Sequence, residues 1–365
     1  MEILNRRLPG DGSPLPWSRM LPPAVVAAWL SSRLFVDLIL LVGGLARGMP
    51  PHDVFSAWDG GWFQRIALEG YDPSQLSGAA LAEQTTFPFF PLLPALIAAG
   101  RLLGLPTVVT GVFIGHAALL IGLALTHALV RRLSGPAAAS WACWLLAFTP
   151  GALTYSMVYS EGLLLVFASG AFLARRQGRW GLASLLAALA ALTRPNGLVV
   201  ALALTGEALL PGGERRRAPL LLLPTLAVLL LWCGILLALT GNPLIWVDAK
   251  KAWTEISVLN ILSTTKFEYW AQFCAGLIAL GLLALGWRSQ PWGWRLFGLF
   301  WLLPSFFLGV VGFPRYVSAC FPVFAALGAW VARRDGPAGP ALLALSAAAL
   351  AVQTTQVGLL RNWVP

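Results

Sequence analysis

The chain has 365 residues, of which 58% are hydrophobic and 11% are charged, and its formal net charge is +10. A soluble domain carries roughly 25% charged residues, so the composition excludes an ordinary soluble enzyme and indicates an integral membrane protein. The basic residues occur in short clusters between apolar segments, which is the orientation signal of a membrane protein and not the pattern of a nucleic-acid-binding surface.

Cysteine and histidine indicate neither a disulfide framework nor a metal centre. The 4 cysteines each fall within an apolar segment without the spacing of a metal site, and the 3 histidines are not paired at ligand spacing. We interpret the cysteines as buried thiols. The sequence contains no P-loop, dinucleotide-binding glycine motif, HExxH or GxSxG. It therefore gives no support to ATP-driven transport, dehydrogenase, metalloprotease or hydrolase chemistry.

The first apolar segment follows a polar, basic N-terminal stretch. Residues 1–20 are predicted to be a cytoplasmic tail and not a cleaved signal peptide, because no small-residue cleavage site follows them. Residues 22–46 are predicted to span the membrane and contain Arg33 and Asp37, four positions apart. Charged side chains in a span are costly and face the bundle interior. We interpret the two as a structural ion pair, the alternative being a role at the substrate.

The first large polar loop, residues 47–86, contains the sequence WDGGW, in which Asp59 is the second residue. Apolar residues recur at three- and four-residue spacing from 54 to 69, which predicts an amphipathic helix lying on the membrane surface. Three prolines at three-residue spacing follow, and proline disrupts helix interiors. We therefore predict that 87–103 does not cross the membrane, which extends the first outer loop to 47–106.

The arginine clusters orient the chain. With a cytoplasmic N-terminus and no crossing at 87–103, all of these clusters fall on the cytoplasmic side, as the positive-inside rule requires. The predicted fold is an all-α polytopic membrane bundle, one domain over 1–365, with eleven spans. These spans are 22–46, 107–130, 136–149, 158–174, 179–193, 197–211, 218–240, 268–287, 292–311, 316–332 and 339–360. The outer loops then carry varied, singly placed polar residues, which indicates an active site on the non-cytoplasmic face.

Asp59 is the leading candidate for a catalytic group. It stands between Trp58 and Gly60, with Trp62 close by. Sugar transfer needs a carboxylate to accept the proton of the acceptor hydroxyl, and neighbouring aromatic rings can exclude water and stack on a sugar. The alternative is a helix N-cap, a position that favours aspartate. Asp53 is the nearest rival, and it lacks the aromatic and glycine context.

Three further charged residues stand alone at predicted outer helix ends. Glu161 follows Tyr159 and is predicted to contact a sugar hydroxyl or assist the base, the alternative being a solvated helix end. Arg194 lies in TRPNG and Arg315 in GFPRY. A guanidinium grips phosphate through a planar fork of donors, so both are candidates for holding a lipid-linked phosphate. The alternative for each is snorkelling to lipid headgroups. The mixed aromatic and charged loop 242–253 is interpreted as an interfacial anchor.

Taken together, these motifs resemble the PIG-V type mannosyltransferases, in particular bacterial relatives. The resemblance covers nearly the whole chain and rests on an ordered set of motifs. These are Trp58 to Trp62 with Ile66-Ala67 and Gly70-Tyr71, Phe87 to Leu92, Tyr159-Ser160-Glu161, Arg194 to Gly197, and Phe313 to Tyr316.

The resemblance implies a GT-C fold with its active site on the non-cytoplasmic face, a polyprenyl-phosphate sugar donor, and inversion at the anomeric carbon. It places the family's loop aspartate at Asp59 and extends the predicted substrate contacts. Those contacts are Trp58, Gly60, Trp62, Tyr159, Glu161, Arg194, Asn196, Arg315 and Tyr316. GT-C enzymes often carry paired acids in this loop, whereas here the next residue is Gly60. We therefore predict no divalent metal and no other cofactor.

The sequence thus predicts a membrane glycosyltransferase, a mannosyltransferase of the bacterial cytoplasmic membrane. Its partners would be the lipid-linked donor, membrane lipid and an acceptor that is a glycolipid, a glycan or a protein, with no nucleic acid. A lipid-linked-sugar flippase is the alternative from another class. It predicts inverted repeats and a midplane site, and the sequence shows no such repeat. A non-catalytic partner of another transferase is the third hypothesis, and an intact Asp59 argues against it.

Overall fold

The computed structural model describes residues 21–76, 84–252, 256–360 and 365. The predicted tail at 1–20 and position 253 of the loop 242–253 lie outside these ranges. Within them the chain is helical and forms no β-strand. The α-helices are α1 (Pro23–Ala46), α2 (Pro51–Phe55), α3 (Asp59–Glu69), α4 (Leu92–Leu102), α5 (Thr107–Ala147), α6 (Glu161–Arg176), α7 (Trp180–Thr193), α8 (Leu198–Leu209), α9 (Ala218–Thr240), α10 (Ile245–Ala249), α11 (Phe267–Leu285), α12 (Trp292–Leu308), α13 (Phe313–Ala319), α14 (Phe321–Val331) and α15 (Ala338–Gly358).

The helices present apolar side chains outwards, as a membrane protein does. On α1, Leu34 is 62% exposed and Leu38 is 63% exposed, whereas Val36 and Leu40 on the opposite side are buried. Water disfavours a continuous exposed apolar face and lipid does not. The membrane character predicted from composition is therefore confirmed by how the helices are packed.

Five helices of the described chain are long and apolar enough to cross a membrane, or six if one sharply bent pair counts as a single span. A hydrocarbon core about 30 Å thick needs about 20 helical residues, and several of the predicted spans coincide with shorter helices. The helix α8, for instance, has 12 residues. The predicted number of eleven spans therefore stays a prediction. The helical part of 87–103 is α4, whose 11 residues reach about 16 Å.

The predicted spans 107–130 and 136–149 are joined in one element. The helix α5 runs for 41 residues, with a break at Gly135, whose φ is 88°. Pro136 follows directly and removes a backbone donor from the helix. Because the α-helical hydrogen bonds cannot run through this pair, the two halves point in different directions, as separate spans would.

The predicted amphipathic helix over 54–69 is interrupted. The structure forms α2, then a turn at residues 56–58, and then α3, which begins at Asp59. The backbone of Trp58 turns through a positive φ of 54°, and a helix cannot continue through that conformation. The spacing of apolar residues persists across the turn, which explains why periodicity alone predicted one helix.

The predicted ion pair between Arg33 and Asp37 is wrong. Arg33 donates to backbone and hydroxyl oxygens of the segment after α5. Asp37 instead lies 3.5 Å from Nε2 of His116 on α5. The spacing allowed a pair along α1, but the end of α5 and the segment after it offer Arg33 three hydrogen-bond acceptors, and Asp37 faces α5 instead.

One buried segment organises the end of the bundle at which α6 and α13 begin. It links α5 to α6, contains the 3-10 helix Pro150–Ser156, and packs against α13 and α15. A β-carbon on Gly151 would overlap the carbonyl of Pro314, so glycine is required for this close approach. We call residues 149–160 the connecting segment. It brings the start of α6 next to the start of α13, and the amide of Val158 also donates to the carbonyl of Phe55, at 3.0 Å.

Candidate active site

Four charged side chains meet at one end of the bundle and alternate in sign. Nη1 of Arg315 donates to Oδ2 of Asp59 at 2.5 Å. The Nε of Arg315 lies 3.7 Å from Oε1 of Glu161. The same Oε1 accepts a bond from Nη1 of Arg194 at 2.5 Å. The sequence separated these residues by up to 256 positions, and the fold joins them into one network.

Each member of this network comes from a different helix end. Asp59 is the first residue of α3 and Glu161 the first residue of α6, where the helix dipole stabilises a negative charge. Arg194 follows the last residue of α7, where the dipole stabilises a positive charge. Arg315 lies in the first turn of α13, so its charge depends on the two carboxylates beside it.

The network is largely withdrawn from water. The side chain of Glu161 is 1% exposed and that of Arg315 is 8% exposed, whereas those of Asp59 and Arg194 are each 14% exposed. Burial alone would lower the pKa of Arg315, but the nearby carboxylates of Asp59 and Glu161 raise that pKa well above its usual range. Arg315 therefore stays charged, and the two ends of the network remain accessible to a ligand.

A strained turn at Trp58 orients the carboxylate of Asp59. Trp58 has φ 54° and ψ −120°, and the amide of Gly60 donates to the carbonyl of Ala57 at 3.2 Å. These are the features of a type II′ turn, whose second position favours glycine. A non-glycine residue there costs about 1–3 kcal/mol, and such strain is concentrated at functional sites. The turn places the Asp59 carboxylate at the start of α3, facing Arg315.

Two tyrosines line the network. The hydroxyl of Tyr159 accepts a hydrogen bond from the amide of Asp59 at 3.3 Å, and its ring lies 5.8 Å from the Arg315 guanidinium. The ring of Tyr316 lies 5.3 Å from both Arg194 and Arg315. Such cation–π contacts are stronger when they are partly desolvated. Tyr316 thus spaces the two guanidiniums that the sequence assigned to phosphate.

The other predicted contacts lie around this centre without joining it. Gly60 is buried, and a β-carbon there would meet Val158 at 3.4 Å, so its visible role is close packing. Trp62 stacks on Phe89 with ring centroids 6.1 Å apart. Asn196 is half-buried in the turn after α7. Among the described residues its side chain makes no hydrogen bond to the charged network.

Sequence reasoning missed the residues that hold Arg315 and Tyr316 in place. The side-chain oxygen of Gln272 on α11 accepts the amide of Gly312, which precedes α13. The indole of Trp301 donates to the carbonyl of Tyr316 at 2.7 Å. Gln272 had a usable signal, because an amide side chain inside an apolar span needs a partner. No sequence signal distinguished Trp301 from the many other aromatic residues of the chain.

Within the described residues, no group of three His, Cys, Asp or Glu side chains is placed to hold a metal ion. Both carboxylates of the network are bound instead to guanidiniums. The cation beside Asp59 in this structure is the guanidinium of Arg315, and independence from metal stays a prediction.

The fold is similar to that of solved membrane-protein structures. The chain is similar to the crystal structure of the Archaeoglobus fulgidus oligosaccharyltransferase in complex with zinc and sulfate, with TM-score 0.52 and 16% identity, over 90% of this chain and 53% of that one. It is also similar to the apo form of that protein, with TM-score 0.50 and 14% identity, over 92% of this chain and 56% of the other. The chain thus spans about half the length of these structures. No curated protein matches it significantly in sequence. The architecture defines a membrane protein of the GT-C glycosyltransferase fold.

The family match is more specific. Residues 51–209 match the model of the mannosyltransferase (PIG-V) family, and this range holds Asp59, Glu161 and Arg194. This match confirms the resemblance drawn from the sequence, over the matched residues 51–209. At the level of class, the family match and the fold together support a membrane glycosyltransferase.

Proposed function

We propose that the protein is a mannosyltransferase that moves a hexose from a polyprenyl-phosphate donor to an acceptor hydroxyl at the non-cytoplasmic face. The observation that carries this proposal is the direct contact of Asp59 with Arg315, together with the contacts of both arginines with Glu161. A base for a hydroxyl and two cations for a phosphate thus occupy one site, next to the predicted membrane surface.

In the proposed reaction, the acceptor oxygen attacks the anomeric carbon while the bond from that carbon to the phosphate oxygen breaks. Asp59 takes the hydroxyl proton. The bonding electron pair leaves with the phosphate, so polyprenyl phosphate gains the negative charge. Attack from the side opposite the leaving group inverts the anomeric carbon.

Arg315 and Arg194 stabilise the leaving phosphate in this scheme. Guanidiniums that are already in place strengthen their contact as the charge develops, which lowers the barrier without reorganising solvent. Tyr316 keeps the two side chains apart, with each guanidinium 5.3 Å from its ring. Glu161 pairs with both arginines and orients them. Because its side chain is 1% exposed, the predicted contact with the sugar would need the network to open when the substrate binds.

We further propose that the transfer needs no divalent cation. A metal ion in such a site would neutralise the acidic group and stabilise the phosphate. Here Arg315 is already paired with Asp59 at 2.5 Å and carries the positive charge for both tasks. The acceptor class stays open among glycolipid, glycan and protein. The proposed location is a bacterial cytoplasmic membrane, with the N-terminus in the cytoplasm.

The flippase alternative predicts that the same groups bind the lipid-linked sugar without chemistry. It gives no reason for a carboxylate to be held at a strained turn beside a phosphate site, because binding alone needs only the cations. Sugar transfer supplies that reason, because the acceptor hydroxyl must give its proton to a base. The convergence of Asp59, Arg194 and Arg315 therefore supports the enzyme hypothesis, and the same convergence argues against a degenerate, non-catalytic partner.

The test is transfer of labelled mannose from polyprenyl-phosphate mannose into the lipid and protein fractions of membranes carrying the wild type or Asp59→Asn. Loss of a general base costs about 10²–10⁴-fold in rate, so the substituted protein should fall by at least about a hundredfold. Asp53→Asn is the matched control, since Asp53 lies in the same loop, is about half exposed and contacts His52 instead of the network.

Equal transfer by wild type and Asp59→Asn would remove Asp59 from the role of base. An equal loss in Asp53→Asn would show that any charge change in this loop is damaging. If wild-type membranes translocate the labelled lipid but transfer no sugar, the flippase hypothesis replaces the proposed one.

A further inference from the structure

A fifth buried charge, Arg33, lies near the network without belonging to it. It stands on α1 and is 2% exposed. Its Nη1 donates to Oγ of Ser156 at 2.7 Å and to the carbonyl of Ala152 at 3.0 Å. Its Nη2 lies 3.4 Å from the carbonyl of Ala147, the last residue of α5. All of these acceptors belong to the connecting segment or to the end of α5 that leads into it.

The chemistry of these acceptors explains why an arginine stands inside a span. The last carbonyls of an α-helix have no partner within the helix, and an unpaired backbone carbonyl buried in a bundle is costly. The planar guanidinium carries five donors in a fixed fork, so it can donate to the end of α5 and to the connecting segment at the same time. Lysine has one point of attachment and cannot satisfy the same set.

The connecting segment held by Arg33 touches the candidate active site from two sides. At one end, Gly151 packs directly against the Pro314 carbonyl, next to Arg315. At the other end, the hydroxyl of Tyr159 contacts the amide of Asp59 at 3.3 Å. The segment then runs straight into Glu161. A shift in this one segment would displace the base, its cation and the second carboxylate together.

We propose that Arg33 is a positioning residue for sugar transfer, which fixes the connecting segment so that Tyr159, Glu161 and Arg315 are in register with Asp59. The inference rests on the proposed transfer for its effect on rate, and on the structure alone for its effect on the segment. Asp37 is not one of the groups that Arg33 binds: it lies 3.5 Å from Nε2 of His116, and its charge acts on Arg33 only through space.

The closing experiment therefore has two measurements on purified, folded protein in lipid nanodiscs. The first is hydrogen–deuterium exchange of the connecting segment, where the amides of Ala152, Met157, Val158 and Tyr159 all donate to backbone carbonyls. The second is transfer of labelled mannose from polyprenyl-phosphate mannose to membrane acceptors. The variants are Arg33→Lys, which keeps the charge, and Asp37→Asn, which changes the charge four residues along the same helix.

Arg33→Lys should raise exchange in the connecting segment while α9 and α11, which Arg33 does not touch, keep wild-type protection. Its kcat should fall by about a hundredfold, the loss that a misplacement of about 1 Å in a remote residue causes. Its KM for the donor should change little, because the neutral network contributes little to ground-state binding of the phosphate and the lipid chain still binds. Asp37→Asn should leave the protection of the connecting segment and the transfer rate at wild-type values.

Three results would overturn the inference. The first is unchanged exchange in Arg33→Lys, which would show that the fork does not hold the segment. The second is an exchange increase spread over all helices, which would show that Arg33 supports only the global fold. The third is equal effects of Arg33→Lys and Asp37→Asn, which would restore the ion pair along α1. Absence of transfer in the wild type would contradict the proposed function instead, and the exchange measurement would still decide the role of Arg33.

Discussion

Glu161→Gln tests whether the carboxylate at the centre of the network holds the two arginines together. The substitution keeps the shape of the side chain and removes its charge. Oε1 of Glu161 lies 2.5 Å from Nη1 of Arg194 and 3.7 Å from Nε of Arg315, and the side chain is 1% exposed. Without the carboxylate, Arg194 has no anionic partner in the network, and Arg315 keeps only Asp59.

The expected loss in the free energy of unfolding is roughly 3–5 kcal/mol, as measured when one partner of a buried ion pair is removed. Coulomb's law gives the same scale. At 3.7 Å and an effective dielectric constant of about 20, one pair of unit charges attracts by about 4.5 kcal/mol before desolvation is subtracted. The closer pair, Glu161 with Arg194 at 2.5 Å, adds to this attraction. The substitution also removes the cost of burying the Glu161 charge, which offsets part of the loss.

The assay is unfolding in mixed micelles with increasing sodium dodecyl sulfate, followed by tryptophan fluorescence. Glu69→Gln is the control, because that carboxylate is 59% exposed and pairs with Arg65 at i and i+4, a contact worth about 0.3–0.5 kcal/mol. Polyprenyl phosphate should stabilise Glu161→Gln more than the wild type, since its phosphate replaces the missing anion. A loss no larger than that of Glu69→Gln, with no extra stabilisation by polyprenyl phosphate, would refute the reasoning.

Three further outcomes follow from the same geometry. Arg315→Lys should lower the rate of mannose transfer by about a hundredfold or more, the loss seen when one pre-placed donor to a developing charge is removed, whereas the exposed Arg65→Lys should keep wild-type transfer. Trp58→Gly should be more stable than Trp58→Ala by about 1 kcal/mol in the same unfolding assay, because both lose the ring and only glycine accepts φ 54° without strain; equal stability would mean that the turn is unstrained. Treatment with EDTA should leave mannose transfer unchanged, and a loss of transfer that Mg²⁺ or Mn²⁺ restores would contradict the role of Arg315 as the cation beside Asp59.

The identity of the charged residues could be predicted from sequence because the chain has so few of them. A lone charge at the end of an apolar segment is costly, and this singled out Glu161, Arg194 and Arg315, whereas Asp59 was singled out by its aromatic and glycine neighbours. The partner of each could not be predicted. Pairing is decided by which helix ends meet, and the sequence separation of Asp59 and Arg315 is 256 positions.

The errors in the sequence analysis share one physical origin. Local spacing favoured a pair between Arg33 and Asp37, yet each side chain found its partner on another element. Periodicity favoured one helix over 54–69, yet a non-glycine residue at positive φ broke it at Trp58. In both places tertiary contacts override a local preference. Both places also adjoin the candidate active site, where strain and buried charge are usual.

The charge balance of the network bears on how the proposed enzyme would use its binding energy. Two carboxylates neutralise two guanidiniums, so a donor phosphate meets a centre with no net charge, and its ground-state attraction to the arginines is small. As the bond to the anomeric carbon breaks, negative charge moves onto the phosphate while Asp59 takes up a proton and loses its own charge. Protonation of Asp59 therefore weakens its contact with Arg315, at 2.5 Å, and the guanidinium becomes available to the leaving phosphate as the negative charge develops. The cation contact therefore strengthens in the transition state and not in the ground state, which is the condition for raising kcat.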